Sequence, residues 1–233
     1  MSAFVAEKFI WINIPKMAGK YTGGLMNHSN IEYTKIGKGH KWLDQHGNPI
    51  IDVNDYPAHT LYMTVRHPIT FLASLWQHRQ MSRKPWMDDG IENNVGVNDW
   101  SQFIMNVINN PGWIDEWTGR WIHTFPSAKL LKMEIIWDEW IREWKQIGQP
   151  FNYDKAVEYK DQQVNRDPNV QILLNSLSQN QIDRLYESQK SVFESWEYDK
   201  QWEIVPYRKV YDIGSDKWKK QKKLEGKKKK LSV

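Results

Sequence analysis

Residues 14–22 read Ile14-Pro15-Lys16-Met17-Ala18-Gly19-Lys20-Tyr21-Thr22. Small residues in this stretch let backbone N–H groups approach oxygen atoms closely, and two lysines add full positive charge. That combination suits a phosphate or another oxyanion. A second group runs from Thr64-Val65-Arg66-His67-Pro68 to Ser74. Arg66 offers a rigid fork of donors matched to a phosphate, and Ser74, eight residues later, adds a hydroxyl. An ATP-type phosphate loop would need Gly-x4-Gly-Lys-Ser/Thr. Aligned on Gly19-Lys20, its first glycine falls on Ile14 and its hydroxyl on Tyr21, so the pattern fails at both. The seven histidines show no metal-ligand spacing such as HExxH, so no metal is expected.

Anion chemistry at these positions requires strand ends and helix starts. Residues 9–14, Phe-Ile-Trp-Ile-Asn-Ile, read as a buried strand stopped by Pro15. A helix is predicted over about Tyr21 to Asn27, where Gly23 and Gly24 permit close packing. Residues 31–36 alternate as a second strand, and 37–58 hold enough Gly and Pro to read as loop. Leu61–Val65 reads as a further buried strand ending at Arg66, and Pro68 suits the first position of a helix. Apolar positions 71, 72, 75 and 76 place that helix over Thr70 to Met81. Residues 82–98 read as a surface loop, followed by helices near 99–109 and 113–123 and a strand at Ala128–Met133. A helix from Trp137 to Ile147 stops at Gly148 and Pro150, and residues 152–169 read as polar and irregular. Ser178–Trp196 reads as one amphipathic helix, with Ile182, Leu185, Tyr186, Val192, Phe193 and Trp196 on its apolar side and Ser178 with Gln181 as a capping box. Strands alternating with helices argue for an α/β domain with a parallel sheet.

In order and spacing, these groups resemble the sulfotransferase family that uses 3′-phosphoadenosine 5′-phosphosulfate (PAPS). Pro15-Lys16-Met17-Ala18-Gly19-Lys20-Tyr21 resembles its 5′-phosphosulfate loop, and Arg66-His67-Pro68 through Ser74 its 3′-phosphate element. Residues 128–144 resemble its strand, Glu and following helix, and residues 178–198 its final helix with an aromatic pair at the end. The resemblance spans roughly residues 9–200. It implies a three-layer P-loop-like domain, with a central, mainly parallel sheet flanked by helices. It also implies sulfuryl transfer from PAPS, without a metal, to an acceptor hydroxyl. A glycan is the first expectation for the acceptor, and a peptide tyrosine or small metabolite the next. Pro15 to Thr22 would bind the 5′ end of the donor, Lys16 would stabilise the leaving group, and Arg66 with Ser74 would hold the 3′-phosphate. In carbohydrate sulfotransferases a Gly-His segment near the acceptor often follows the second strand. Gly39-His40-Lys41-Trp42 occupies that place here. An ordinary imidazole pKa of about 6.5 makes His40 a candidate base, with Glu32 and His59 as alternatives. Two positions depart from the pattern: Lys20 replaces the usual loop Thr/Ser, with Thr22 two residues on, and His67 replaces the usual Asp.

Bulk properties narrow the setting. The 233 residues suit one α/β domain, placed at 1–212, with a basic tail at 213–233. Lys217–Lys230 carries nine lysines against one glutamate, so the rest of the chain is acidic although the whole is +4. Such a tail is expected to remain unfolded, and it could contact a polyanion. There are no cysteines, no apolar run long enough to span a membrane and no leader-like start, which leads to an expectation of a cytoplasmic protein and a bacterial or viral relative. The 14 tryptophans fit core packing better than a ring-lined groove. The rival function classes are a phosphate-loop kinase or hydrolase and a non-enzymatic polyanion-binding module.

Overall fold

A computed structural model describes residues 2–37, 49, 51–82, 91–160 and 168–200. Short runs of β-branched and aromatic residues form its strands: β1 (Ala3–Ala6), β2 (Phe9–Ile12), β3 (Tyr33–Ile36), β4 (Thr60–Val65) and β5 (Lys129–Lys132). They make one sheet in the order β3-β1-β2-β4-β5. β2 pairs in parallel with β4, and β4 with β5. β1 runs antiparallel to both of its neighbours. The sheet is therefore mixed rather than mainly parallel. The cause is a hairpin: only Glu7 and Lys8 separate β1 from β2. That turn contains no Gly, Asn or Pro, so the sequence gives no sign of it, and Ala3–Ala6 is too short to announce a strand by alternation.

Both faces of the sheet are covered. On β2, Ile10 and Ile12 face one core, and Phe9 and Trp11 face the other. The first core takes its side chains from α2 (Pro68–Ser82), α3 (Trp100–Ile108), α4 (Trp113–Ile122), α7 (Pro168–Asn175), α8 (Gln179–Ser188) and α9 (Lys190–Ser195). The second takes them from α1 (Gly19–His28), α5 (Ile136–Gln146) and α6 (Tyr153–Tyr159). Trp140 of α5 packs its ring against Phe9, Trp11, Tyr62 and Trp144, with centroids 5.2 to 6.4 Å away. Such pairs each add about 0.5–1.5 kcal/mol beyond area burial. Trp11, Trp113, Trp117, Trp140 and Trp144 are fully buried, as expected for packing residues. No helix among the described residues is long and apolar enough to cross a membrane.

Two helical expectations need correction. Residues 152–169 are not all irregular. Asn152 caps α6 by accepting from the Lys155 N–H, and α7 starts at Pro168. α6 buries only Ala156 and Tyr159, too few positions to display a period. The final amphipathic stretch is two helices rather than one. Its capping box at Ser178 and Gln181 is present, but the helix breaks at Gln189. The Gln189 side chain accepts from the Ile114 N–H at 3.0 Å and donates to the carbonyls of Val107 (3.1 Å) and Asn110 (3.0 Å). Its amide thus joins the end of α3 to the start of α4. The expected apolar side holds: Leu185, Val192, Phe193 and Trp196 are buried, and Ile182 and Tyr186 pack against them. The expected tail and the segment containing His40 lie outside the described residues.

Gly23 and Gly24 of α1 differ sharply in their surroundings. A Cβ on Gly24 would lie 1.9 Å from the Tyr159 hydroxyl of α6, whereas one on Gly23 meets nothing within 4 Å. Gly23→Ala is therefore expected to stabilise the protein by up to about 1 kcal/mol through helix propensity. Gly24→Ala is expected to destabilise it by roughly 1–3 kcal/mol through overpacking. Chemical denaturation of the two variants checks the opposite signs.

Candidate functional site

The parallel β2–β4 pairing, with Ile12 opposite Met63, brings both sequence-marked groups to the same end of the sheet. Neighbouring strands lie about 4.8 Å apart. The loop after β2 and the Arg66 end of β4 are therefore direct neighbours. They are also bonded: the Thr64 hydroxyl donates to the Met17 carbonyl. From this end α1 leaves toward one core and α2 toward the other. Where successive helices diverge to opposite faces, the carboxyl ends of the strands are the usual ligand position in open α/β sheets.

The loop is tightly wound. Lys16 and Ala18 both adopt left-handed backbone angles, with φ of 66° and 60°. For residues carrying a Cβ this costs roughly 1–2 kcal/mol each. Such strain concentrates where the chain must aim its N–H groups at something. Ala18 begins α1 without any side-chain cap, and the first turn contains no acidic residue. Instead it contains exposed Lys20, with Lys16 just before it. Lysines at the positive end of a helix dipole are unfavourable unless an anion offsets them. Gly19 is fixed by crowding: a Cβ there would fall 2.3 Å from Asn13 Oδ1, at the end of β2.

The other loop residues do different work. Met17 is fully buried, so only its backbone faces the loop. Tyr21 packs on Tyr159 and gives its hydroxyl hydrogen to the Lys160 carbonyl at 3.0 Å. Thr22 is buried, and its hydroxyl accepts from the Trp140 indole at 3.3 Å. Pro15, Lys16 and Ala18 remain half-buried at the loop surface.

On the β4 side, Arg66 is half-buried, and its Nε donates to Met133 Sδ at 2.7 Å. Ser74 lies within α2 on a half-buried position, one turn beyond Thr70. His67 explains its own departure from the expected Asp. Its Nδ1 accepts from the Ile69 N–H at 3.3 Å, which is the bond a capping carboxylate would make at the start of α2. With Nδ1 accepting, Nε2 carries the proton and donates to the Asp199 carbonyl at 3.0 Å. The ring stands edge-on to Phe193 and Tyr198. Burial pushes the His67 imidazole below its ordinary 6.5, against the opposing pull of the Asp199 carbonyl and the charges of Glu134 and Asp199.

Of the three bases considered, two lie at the far end of the sheet. His59 precedes β4 and bonds through Nε2 to the Ala6 carbonyl at 3.1 Å. Glu32 precedes β3, beside Glu7 and Gln149 in a shallow cleft of about 570 Å³. The chain leaves β3 at Ile36, at the same sheet end as the loop, and His40 lies outside the described residues. Sequence reasoning did not assign roles to Glu134 and Tyr198. Glu134 accepts from the His67 N–H at 3.0 Å and from the Tyr198 hydroxyl at 2.5 Å. Their only sequence signal was membership of the Glu and aromatic-pair positions in the family resemblance. No protein-family model, curated protein or solved structure matches the chain.

The neutral, buried His67 has a thermodynamic signature. Its native pKa lies below the unfolded value, so the unfolded state binds more protons as the pH falls through 6.5. Its contribution to stability is full above that pH and is lost as the pH drops through the lowered native value. Melting temperature is expected to fall between pH 7.5 and 5.5, with a shallower slope in His67→Asn, which keeps a capping acceptor but cannot titrate. His67→Ala, which loses the cap as well, should be less stable than His67→Asn by about 1 kcal/mol at neutral pH.

Proposed function

We propose that the protein is a sulfotransferase that moves a sulfuryl group from PAPS to an acceptor hydroxyl. The observation that carries this reading is the pairing of two anion-suited groups at adjacent strand ends. One is a strained, lysine-bearing loop opening an uncapped helix, and the other is an arginine-bearing strand end, tied to the loop by the Thr64–Met17 bond. A donor with phosphosulfate at one end of its ribose and a phosphate at the other needs two such groups. The resemblance of residues 15–21 and 66–74 to the family's donor elements supports the same assignment. A three-layer P-loop-like fold is the architecture this reading entails, and helices on both faces of the sheet support it. An ATP-type phosphate loop fits less well, because the Tyr21 hydroxyl is directed to the Lys160 carbonyl instead of toward a metal-bound phosphate.

In this reading the donor supplies an activated sulfuryl group, whose bond to the 5′-phosphate oxygen breaks as the acceptor oxygen bonds to sulfur. Backbone N–H groups of the loop bind the 5′-phosphate. Lys16 offsets the negative charge that builds on the departing bridging oxygen. Arg66 grips the 3′-phosphate in a bidentate manner, with Ser74 adding a hydroxyl. His40 takes the acceptor proton. Carbohydrate is the favoured acceptor class.

Adenosine 3′,5′-bisphosphate is expected to raise the melting temperature much more than AMP does. A ligand that binds only the native state adds about 2.7 kcal/mol at a hundredfold excess over Kd. Equal shifts with the two nucleotides, or larger shifts with ATP–Mg²⁺, would refute the assignment. Lys16→Ala should lower the rate of sulfuryl transfer by on the order of 10²–10³ while the protein stays folded. His40→Ala should lose turnover yet keep its affinity for the bisphosphate. Radiolabelled sulfate transfer and nucleotide titration together separate these outcomes.

A further inference from the structure

The register of β4 on β5 places Val65 opposite Lys132, where the backbone ladder stops. Side chains continue it. Arg66, the residue after β4, bonds through Nε to Met133, the residue after β5, at 2.7 Å. One step further, the His67 N–H donates to Glu134 at 3.0 Å. The other oxygen of Glu134 accepts from Tyr198, in the turn that follows α9. That turn is fastened at further points: Lys132 Nζ donates to the Glu197 carbonyl at 2.7 Å, and His67 Nε2 donates to the Asp199 carbonyl at 3.0 Å. Lys132 also lies over the Tyr198 ring, 5.1 Å from its centroid. Burial and the Glu134 carboxylate hold the Tyr198 phenol far above its ordinary pKa, so it stays a donor.

We propose that Glu134 and Tyr198 are positioning residues that fix the Arg66 strand end for 3′-phosphate recognition, so that donor selectivity depends on the docking of the turn after α9. This rests on the donor-site reading given above. A bidentate grip on phosphate tolerates displacements of only about 0.5 Å. The backbone at Arg66–His67 has left the ladder, and Glu134 is the group that takes its next N–H. Glu134 is in turn oriented by the Tyr198 hydroxyl. Removing that hydroxyl while keeping the ring leaves the packing against His67 and loosens the carboxylate.

The test measures affinities for adenosine 3′,5′-bisphosphate and for AMP in the wild type, Tyr198→Phe and Glu134→Gln, with melting temperatures alongside. The wild type is expected to prefer the bisphosphate. Both variants are expected to lose roughly 5- to 10-fold of that preference, the size of one net hydrogen bond, with AMP affinity within about twofold of wild type. A purely structural role would lower both affinities together or neither, and a preserved ratio overturns the proposal. Should Glu134→Gln not fold, Tyr198→Phe decides. A wild type that shows no preference overturns this proposal and the donor-site reading together. A preference present in the wild type and unchanged in the variants overturns this proposal alone.

Discussion

Parallel pairing of β2 with β4 ends with Ile12 opposite Met63, and nearly every feature of the candidate site follows from what the chain does next. Both strands are buried on both faces, so neither can shift by a residue without exchanging its two apolar sets. The helices that follow them must then cover opposite faces. In the loop at the divergence the Met17 N–H bonds to the Ile14 carbonyl, and the Met17 carbonyl takes its partner from β4. The Thr64 hydroxyl therefore matters beyond its size: it holds the Met17 carbonyl and with it the left-handed pair Lys16 and Ala18. The strain in that pair is sustained by the buried Met17 side chain on one side and the crowded Gly19 contact on the other.

Much of this was legible in the residues. The apolar runs at 9–14 and 61–65 gave two central strands, and the Pro and Gly residues beside them marked where each run stops. The two anion-suited groups could be placed at strand ends from the residues alone. What escaped were features whose cause is tertiary. β1 has four residues and a turn without turn chemistry, so only its pairing partners define it. The interruption at Gln189 is invisible in the amphipathic pattern, because the residue breaks the helix in order to bond with α3 and α4. Thr22 read as a hydroxyl near phosphate. The sequence carries no sign that an indole more than a hundred residues away engages it.

At His67 an imidazole makes the helix-capping bond that a carboxylate could make, by a different chemistry. An imidazole and a carboxylate share one capability here, an acceptor placed two residues before an N–H that the helix leaves unpaired. The imidazole brings a second nitrogen at the far side of the ring, which reaches a carbonyl that no capping carboxylate could touch. It also brings a demand for neutrality in a buried place. The strand end thereby gains a tie to the turn after α9 and a sensitivity to acid that Asp would not confer in the same range.

The hairpin of β1 and β2 has a consequence for the order in which the molecule can be assembled. With β1 and β2 at the centre, each later strand in the chain joins a free border of what already exists: β3 beside β1, β4 beside β2, and β5 beside β4. None has to wedge between two partners that are already bonded. A ribosome delivering these residues in chain order brings each of these described strands to a waiting edge, and the sheet can widen outward in step with synthesis.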